Sequence, residues 1–394
     1  MDRFLKALRG AACLLLLSCP AAQAYDLIAW ARARLAPEEP PPLPSSEGSF
    51  RVEVLAEGLE SPWAVVPLPD GRILITERPG RLRVFRDGRL EPQPLAGVPA
   101  VAYRGQGGLL DLTPHPDHPR TRRLFLAYTA QGPEGMRTQV ASFEEGEGGL
   151  RDMKLVFPGA PGGEQPKHFG CRLRFGHDGR LYITLGERGE GRRAQDLRDL
   201  NGKTLRLNGD GSIPEDNPFV GRSGARPEIF TYGNRNSQGM AVHPETGWIF
   251  QTEHGPSWND APGGGDEVNL VVAGGNYGWP LVHHRERREG TLAPLVEYTP
   301  ALAPAGCTFV RGPAFPQWKG DFLFATLVGR RLVRLKLEGP RPVGQEHLLV
   351  GRFGRLRDVA CAPDGSIYAL TSDTDAYGPG RAGGDRLLRL VPAR

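Results

Sequence analysis

The segment PDGRILITE, residues 69–77, joins a tight Asp-Gly turn to a run of residues typical of a β-strand. Five further segments repeat this arrangement: PDHPRTRRLFLAY at 116–128, HDGRLYITL at 177–185, PETGWIFQT at 244–252, QWKGDFLFAT at 317–326 and PDGSIYALT at 363–371. Asp70 and Asp364 are five intervals apart, so the mean period is about 59 residues. A period of this order is typical of sheets repeated radially around an axis. The sequence therefore predicts an all-β protein with six sheets in a ring, a six-bladed β-propeller.

Loops between the strands of such a ring converge on a central funnel, which suits one small ligand held by residues far apart in sequence. The composition is that of a soluble globular chain: 394 residues, 39% hydrophobic and 24% charged, with 53 Gly and 37 Pro for many tight turns. The formal net charge is +4, and no block of consecutive basic residues is present. This argues against nucleic acid as the principal partner.

Residues 1–24 have the pattern of an export signal, with a basic start, an apolar centre from Ala11 to Leu17 and a cleavage site at 22–24. The apolar run is too short to span a bilayer. A second interpretation makes Cys19 a lipid-attachment site. Both interpretations predict a periplasmic or secreted domain. Residues 25–48, which include PEEPPPLPSS, are predicted to be a proline-rich leader ahead of it.

The propeller domain is predicted to occupy residues 49–394. Its first four-strand group is expected to be FRVEVLAEG, WAVVPLP, RILITER and RLRVFRDG, between residues 50 and 88. No stretch has helical periodicity over three turns. The last strand, Arg386–Val391, is expected to pair with this first group and close the ring, because an open ring would expose two strand edges.

The domain contains three cysteines, Cys171, Cys307 and Cys361, with no CxxC spacing. One disulfide is possible in an oxidising compartment, and one thiol must then remain free in a monomer.

Two polar clusters suggest ligand contacts and a catalytic base. Gln106 is the only amide in RGQGG, residues 104–108, where glycines allow the backbone to approach a ligand closely. His168 in KHFG, residues 167–170, lies just ahead of a predicted strand and could act as a general base near neutral pH. Each has a structural alternative: an ordinary glycine-rich turn and a surface or capping histidine.

Two further clusters contain arginines. In YGNRNSQG, residues 232–239, Arg235 and Asn236 offer a guanidinium fork and an amide to a carboxylate or carbonyl group. Arg355 and Arg357 are two apart in GRLRDV, so in a strand they share one face, where they repel unless an anion lies between them. The structural alternatives are a self-bonded turn and a solvated charged edge.

A third group of loops could bind a cation. EHGP (253–256), GGGDE (263–267) and GNYGWP (275–280) combine carboxylates with bends that expose backbone carbonyls, the ligands that hard cations such as calcium prefer. Acidic loops that bind nothing are the alternative.

Together and in this order, these clusters resemble the soluble pyrroloquinoline quinone (PQQ)-dependent sugar dehydrogenases of the glucose/sorbosone dehydrogenase family, and the aldose sugar dehydrogenase branch in particular. The resemblance covers about Val52 to Pro392 and implies a six-bladed propeller, in agreement with the repeat count. Eight motifs carry it: SPWAVVPLPDGRILITER, GQGGLLDLTPHP, HFGCRLRF, GKTLRLNGDGSIPEDNPF, YGNRNSQGMAVHPETG, TEHGP, GGDEVN and NYGWP.

The resemblance implies an enzyme that oxidises the C1 hydroxyl of an aldose to a lactone by hydride transfer to PQQ, with calcium as Lewis acid and an external electron acceptor. It implies that His168 is the base and that the cofactor contacts are Gln106, Arg235, Asn236, Arg355 and Arg357. It further implies that the carbonyls of Gly255 and Pro256 bind the calcium at the cofactor. Glu267 and Tyr277 resemble a second, structural calcium site. A monomer is expected rather than a dimer.

Three departures from the family pattern stand out. Val328 replaces a lysine that contacts the cofactor in the glucose-specific branch, which favours broad substrate use. Cys171 replaces a glycine near the predicted base. Residues 257–262 resemble an insertion beside the calcium-binding turn.

Two other functions are compatible with a propeller: a calcium-dependent lactonase-type hydrolase and a non-enzymatic binding scaffold. The first would leave the arginine cluster unexplained, and the second would not need His168 in its place.

Overall fold

The computed structural model describes residues 49–160, 162–163, 165–257, 263–375, 377–380 and 382–392. These residues form twenty-four strands in six four-stranded antiparallel sheets, which confirms the predicted all-β, six-bladed propeller. The predicted export signal and leader lie outside the described residues. The helical turns of the described part are α1 (His118–Thr121) and two 3₁₀ turns, Gly191–Ala194 and Pro316–Trp318. No described helix has the length and apolar character needed to cross a membrane.

The sheets are named blades 1 to 6 in chain order. Blade 1 contains β2 (Pro62–Pro67), β3 (Ile73–Glu77), β4 (Arg81–Arg86) and β5 (Arg89–Leu90), and blade 2 contains β6 (Leu109–Pro114), β7 (Arg123–Gly132), β8 (Gly135–Gly146) and β9 (Gly149–Phe157). Blade 3 contains β10 (Leu173–Phe175), β11 (Leu181–Leu185), β12 (Lys203–Leu207) and β13 (Ile229–Tyr232), and blade 4 contains β14 (Ser237–Val242), β15 (Ile249–Glu253), β16 (Asp266–Leu270) and β17 (Val296–Tyr298). Blade 5 contains β18 (Pro304–Phe309), β19 (Phe322–Thr326), β20 (Leu332–Glu338) and β21 (Arg341–Leu348), and blade 6 contains β22 (Leu356–Cys361), β23 (Ile367–Thr371), β24 (Asp385–Pro392) and β1 (Phe50–Leu59).

The second strand of a blade is covered on both faces by neighbouring blades. All five residues of β3 (ILITE), β11 (LYITL) and β19 (FLFAT) are buried. Such strands favour continuous β-branched, aromatic and leucine residues over strict alternation of apolar and polar ones. In the outer strand β9, by contrast, residues 151–155 are exposed.

The apolar core is divided among the interfaces between neighbouring blades. Between blades 4 and 5, Phe250 and Phe322 lie with ring centroids 5.3 Å apart. Between blades 5 and 6, Leu332 and Leu356 belong to one buried cluster. Because each blade contacts both neighbours in this way, the ring is one packed unit.

The ring is closed by β1 and β24. Strand β24 pairs with β1 from Phe50↔Pro392 to Leu59↔Asp385, which confirms the predicted pairing of the two ends of the domain. The predicted membership of the first group was wrong, because FRVEVLAEG is the outer strand of blade 6. The fourth strand of blade 1 is instead the two-residue β5, which pairs with β4. Strand propensity identifies β1 as a strand but not the sheet that it joins.

The six repeated turns lie on one face of the ring, because each joins the first and second strands of its blade. The opposite face is formed by segments that enter the first strands and by loops that leave the second strands. All the predicted catalytic and cofactor residues lie at this opposite face, in or next to those segments.

A buried ionic network lies on the axis between the inner strands. The Arg172 guanidinium is 3.0 Å from Asp111 and 3.2 Å from Asp358, and Asp111 also contacts Arg174 at 3.0 Å. Arg172 packs over the Trp63 ring at 4.2 Å. We call Arg172, Arg174, Asp111 and Asp358 the core network.

Candidate active site

A cavity of about 290 Å³ opens on the face opposite the repeated turns. Six residues predicted from sequence to be catalytic or cofactor-binding line it together: Gln106, His168, Arg235, Asn236, Arg355 and Arg357. Gly255, a predicted calcium ligand, lines it as well. The ring thus brings residues from five distant loops to one place.

His168 is buried and its ring is oriented by an acid. Its Nδ1 lies 2.7 Å from Oε2 of Glu187, a buried side chain in the loop that leaves β11. Burial lowers the pKa of His168, the hydrogen bond to Glu187 opposes that shift, and the charge of Arg235 adds to it, so the net direction is downward. The imidazole is therefore held in its neutral form at neutral pH.

The backbone of His168 has an unusual conformation, with φ of 53°. A non-glycine residue in the left-handed region must be held there by its surroundings. Oε1 of Gln106 accepts a 2.8 Å hydrogen bond from the His168 N–H. Gln106 thus contacts the predicted base as well as the cavity.

Asn236 and Gln238 connect the segment that contains His168 to the adjacent side of the cavity. Oδ1 of Asn236 accepts hydrogen bonds from the Gly170 N–H and from Gln238 Nε2, both at 3.2 Å. Gln238 Nε2 also donates to the Gly170 carbonyl at 2.7 Å, and its Oε1 accepts from Arg357 at 3.3 Å. These bonds tie the His168 segment to the side of the cavity that carries Arg355 and Arg357, which we call the arginine wall.

Arg355 and Arg357 share one carboxylate. Asp375 Oδ2 lies 3.1 Å from an Nη2 atom of each arginine, and Asp375 also accepts a 2.9 Å bond from Ser372. Burial alone would raise the pKa of Asp375, but the charges of Arg357 and Arg355 outweigh burial and lower it to about 2. Burial lowers the pKa of Arg357 to about 10, against the opposing charge of Asp375. The anion expected between these guanidiniums is supplied by the chain itself.

Arg235 lines both the cavity and a small cleft beside it, which is described below. Its backbone N–H donates to Glu253, and its guanidinium lies 5.3 Å from the Trp279 ring centroid. His254, beside it, lines the cavity with an Nε2 atom that is buried and has no hydrogen-bond partner among the described residues. Burial and the nearby charges of Arg235 and Arg357 lower the pKa of His254 to about 3.

The residues predicted to bind calcium line a second, small cleft beside the cavity: Gly255, Pro256, Glu267 and Tyr277. Asn269 is the one hydrogen-bond partner of the Glu267 carboxylate among the described residues, at 2.9 Å. Burial and the charge of Glu253 raise the pKa of Glu267 well above its usual range. The Tyr277 hydroxyl donates to the Leu270 carbonyl at 2.5 Å, so it is not available to a cation.

No group of three or more His, Cys, Asp or Glu side chains within the described residues could hold a metal ion. A cation in this cleft would therefore depend on backbone carbonyls together with Glu267. Gly255 lets two backbone segments of the cleft pack closely, because a Cβ at this position would lie 2.2 Å from the Gly265 carbonyl oxygen.

The departures from the family pattern fall around the cavity. Val328 lines it and is 53% exposed. Cys171 is fully buried, and burial raises the pKa of its thiol well above the usual range. Cys171, Cys307 and Cys361 are free thiols, so the possible disulfide does not form in this structure. Most of the 257–262 segment lies outside the described residues.

Sequence reasoning missed Glu187, Asp375 and Arg78, the last of which also lines the cavity. A signal was available for two of them. The second strands of blades 1, 3 and 4 lead into Glu77-Arg78, Glu187-Arg188 and Glu253-His254, a repeated acidic–basic pair at the functional face. An alignment of the repeats would have identified these positions. Asp375 has no counterpart in that pattern.

The chain matches known proteins over most of its length. The family profile of the glucose/sorbosone dehydrogenases matches residues 59–378. The chain is 37% identical over 347 residues to aldose sugar dehydrogenase YliI of Escherichia coli K12, a match covering 84% of this chain and 92% of that protein.

Two solved structures have the same fold. The apo-form of soluble aldose sugar dehydrogenase from E. coli gives a TM-score of 0.79 at 36% identity and covers 88% of this chain and 100% of its own. The PQQ-bound aldose sugar dehydrogenase from Streptomyces coelicolor gives 0.76 at 32% identity, with 89% and 99% covered. This chain therefore belongs to the glucose/sorbosone dehydrogenase family, alongside the soluble aldose sugar dehydrogenases.

Proposed function

We propose that this protein oxidises the C1 hydroxyl of aldose sugars to lactones with PQQ as cofactor and calcium as Lewis acid. The observation that carries the proposal is the arrangement of one cavity. His168, oriented by Glu187, stands at one wall, and two arginines that share a single carboxylate stand at another. The named functions of the relatives support the same class of reaction.

The arginine wall fits a polyanionic ring. PQQ carries three carboxylates, and two guanidiniums neutralised by Asp375 alone retain one net positive charge. Arg357 also has a buried Nε atom without a hydrogen-bond partner among the described residues. A buried donor of this kind is costly unless an acceptor reaches it, and a carboxylate of the cofactor would satisfy it.

The neighbouring cleft fits a cation. Glu267 is paired across strands with Glu253 on one side and Glu297 on the other. Like charges directly opposite one another destabilise a sheet, and a divalent ion would relieve that repulsion. We assign Glu267 and the Tyr277 carbonyl to a structural calcium, and the Gly255 and Pro256 carbonyls to a calcium next to the cofactor.

The residues of the chain then have defined tasks. Because Glu187 accepts the Nδ1 proton of His168, the lone pair of Nε2 is left to take the proton from the anomeric hydroxyl. Glu187 also stabilises the imidazolium that forms. The bound quinone supplies the acceptor for the hydride that leaves C1. Ala301, Ala303 and Leu327 give the cavity an apolar side that limits the access of water.

Reconstitution tests the proposal. Apo-protein freed of metal with EDTA is mixed with calcium and PQQ, and an aldose and a redox dye are then added. Dye reduction that requires both calcium and quinone, together with a change in the absorption spectrum of the bound quinone, is the expected result. A folded protein that reduces no dye with any aldose of a panel would contradict it. Lactone hydrolysis that needs calcium but no quinone would indicate the hydrolase instead.

Export is proposed on residues 1–24 alone. N-terminal sequencing of the protein isolated from its host is expected to begin at Tyr25, and a lipidated Cys19 is the alternative outcome.

A further inference from the structure

We propose that Arg78 is a positioning residue that holds His168 in place through the loop 104–108. This inference rests on the proposed function only for the role of His168. The connections themselves are properties of the protein without any ligand.

Arg78 is bonded to two carbonyls of one loop. Its Nε and Nη2 atoms donate to the Gly107 carbonyl at 3.1 and 2.7 Å, and Nη2 also donates to the Gly105 carbonyl. The residue is 3% exposed, and the Tyr103 ring centroid lies 5.2 Å from its guanidinium carbon. A planar guanidinium can satisfy two buried carbonyls at fixed positions, which few other side chains can do.

The loop held by Arg78 is joined in turn to the His168 segment. The Gln106 N–H donates to the Pro166 carbonyl at 2.8 Å, and the Gln106 side chain accepts from the His168 N–H at 2.8 Å. At Gly105, a Cβ would lie 2.2 Å from the Pro166 carbonyl oxygen, so the two segments are in close contact. A shift of the loop would therefore carry Gln106 away from His168.

His168 needs this restraint because its backbone lies in the left-handed region, which a non-glycine residue adopts only when held there. On its other side the His168 backbone is in close contact with Gly186. A Cβ added to Gly186 would lie 2.2 Å from the His168 carbonyl oxygen. The His168 backbone is thus enclosed between the loop fixed by Arg78 and the loop that leaves β11. Its imidazole can then meet Glu187 on one side and the cavity on the other.

Amide hydrogen exchange of the apo-protein tests the connection directly. In Arg78→Met, which keeps the apolar stem and loses the donors, exchange in peptides covering 104–108 and 165–170 is expected to rise at least tenfold. Gln106→Leu, which removes the acceptor of the His168 N–H, is expected to raise exchange at 165–170 alone. Arg81→Met is the matched control, because Arg81 is a partly exposed arginine of the next strand that forms ion pairs with Glu77 and Glu60. It should leave both segments unchanged.

Turnover separates positioning from cofactor binding. Arg78→Met is expected to lower kcat at least tenfold and to weaken PQQ binding no more than Gln106→Leu does, because Gln106 is itself a proposed cofactor contact. Arg78→Lys is expected to recover part of the loss in kcat. If exchange is unchanged in Arg78→Met, Arg78 is not a positioning residue, whatever happens to PQQ affinity. If Arg78→Met does not fold, Arg78→Lys decides: it must raise exchange at 165–170 by at least threefold. If no variant or wild type oxidises an aldose, the proposed function fails, whereas the exchange result still tests the connection.

Discussion

The core network and the arginine wall of the cavity are built from the same residue types with a different charge balance. In the core network, Arg172 and Arg174 face two carboxylates, Asp111 and Asp358. At the cavity wall, two arginines face the single carboxylate of Asp375. The core network is neutral by itself, and the wall keeps one positive charge.

The pKa shifts of the arginines follow that difference. Burial lowers the pKa of Arg172, but the charges of Asp111 and Asp358 outweigh burial, and the net direction is upward. For Arg357 burial prevails, and its pKa falls to about 10. A buried charge without a full counter-charge is costly to the fold. The anionic cofactor proposed above would complete the balance at the wall.

The largest expected effect is the loss of the core arginine. Arg172→Met leaves Asp111 and Asp358 buried with one cation fewer. Unfolding in urea should therefore show a free energy of unfolding that is lower by about 3–5 kcal/mol. Arg357→Met in the same assay should cost clearly less than Arg172→Met, because Arg355 still matches Asp375 and the desolvation cost of the buried Arg357 charge is removed. Equal losses would remove the distinction between the two clusters.

The second effect concerns ligand binding at the wall. Arg357→Met should weaken PQQ binding to the apo-protein at least a hundredfold, about 2.7 kcal/mol. The reason is that a carboxylate of the quinone would lose a buried, charged hydrogen-bond donor. Fluorescence titration with the quinone measures it. An unchanged titration would place Arg357 outside the binding site.

The third concerns the predicted base, which should contribute to chemistry rather than to affinity. His168→Gln should lower kcat of the reconstituted enzyme about a hundredfold, while PQQ binding stays within threefold of wild type. Steady-state kinetics with one aldose and a dye, beside a quinone titration, give both values. A parallel fall in binding would show that His168 is mainly structural.

Glu267 is the acidic equivalent of the unbalanced arginines, because burial and the other carboxylates around it oppose its charge. Because its pKa is raised in the folded protein, its ionisation lowers stability as the pH rises above 4.5. Glu267→Gln should therefore gain up to about 1 kcal/mol at neutral pH in EDTA and should lose the stabilisation that calcium gives wild type. Thermal unfolding with and without calcium checks both parts. A calcium effect that survives in the variant would place the ion elsewhere.

The smallest effect is the titration of His168 itself. Its folded pKa is lowered, so below pH 6.5 the unfolded state binds more protons, and this histidine contributes less stability as the pH falls. NMR titration of the imidazoles in the apo-protein, assigned with His168→Gln, should place its midpoint below 6.5. A midpoint above 6.5 would mean that the bond to Glu187 outweighs burial and Arg235.

The sequence was sufficient for the fold because the repeated turns are local signals. Each Asp-Gly or related turn joins the first two strands of a blade, and short-range chemistry sets it. The placement of β1 had no such local signal. Closure of the ring predicted its pairing with β24, more than three hundred residues away, but strand propensity alone did not exclude it from blade 1.

The site was predictable where polar residues cluster along the chain, as around Arg235, and less so where a single acid completes it. Glu187 and Asp375 are ordinary acidic residues in their own loops. Their importance arises from partners in three dimensions: His168 for one, and Arg355 with Arg357 for the other. The roles of the predicted site residues stay predictions that the experiments above address.

The pairing of β1 with β24 also constrains the order of events during synthesis. Residues 385–392 are made after every other described strand, so blade 6 is incomplete until β24 has left the ribosome. Arg355 and Arg357 belong to that blade, whereas Gln106 is made early. The cavity therefore cannot be complete before β24 is made, and a ligand that needs all of its walls binds only after that point.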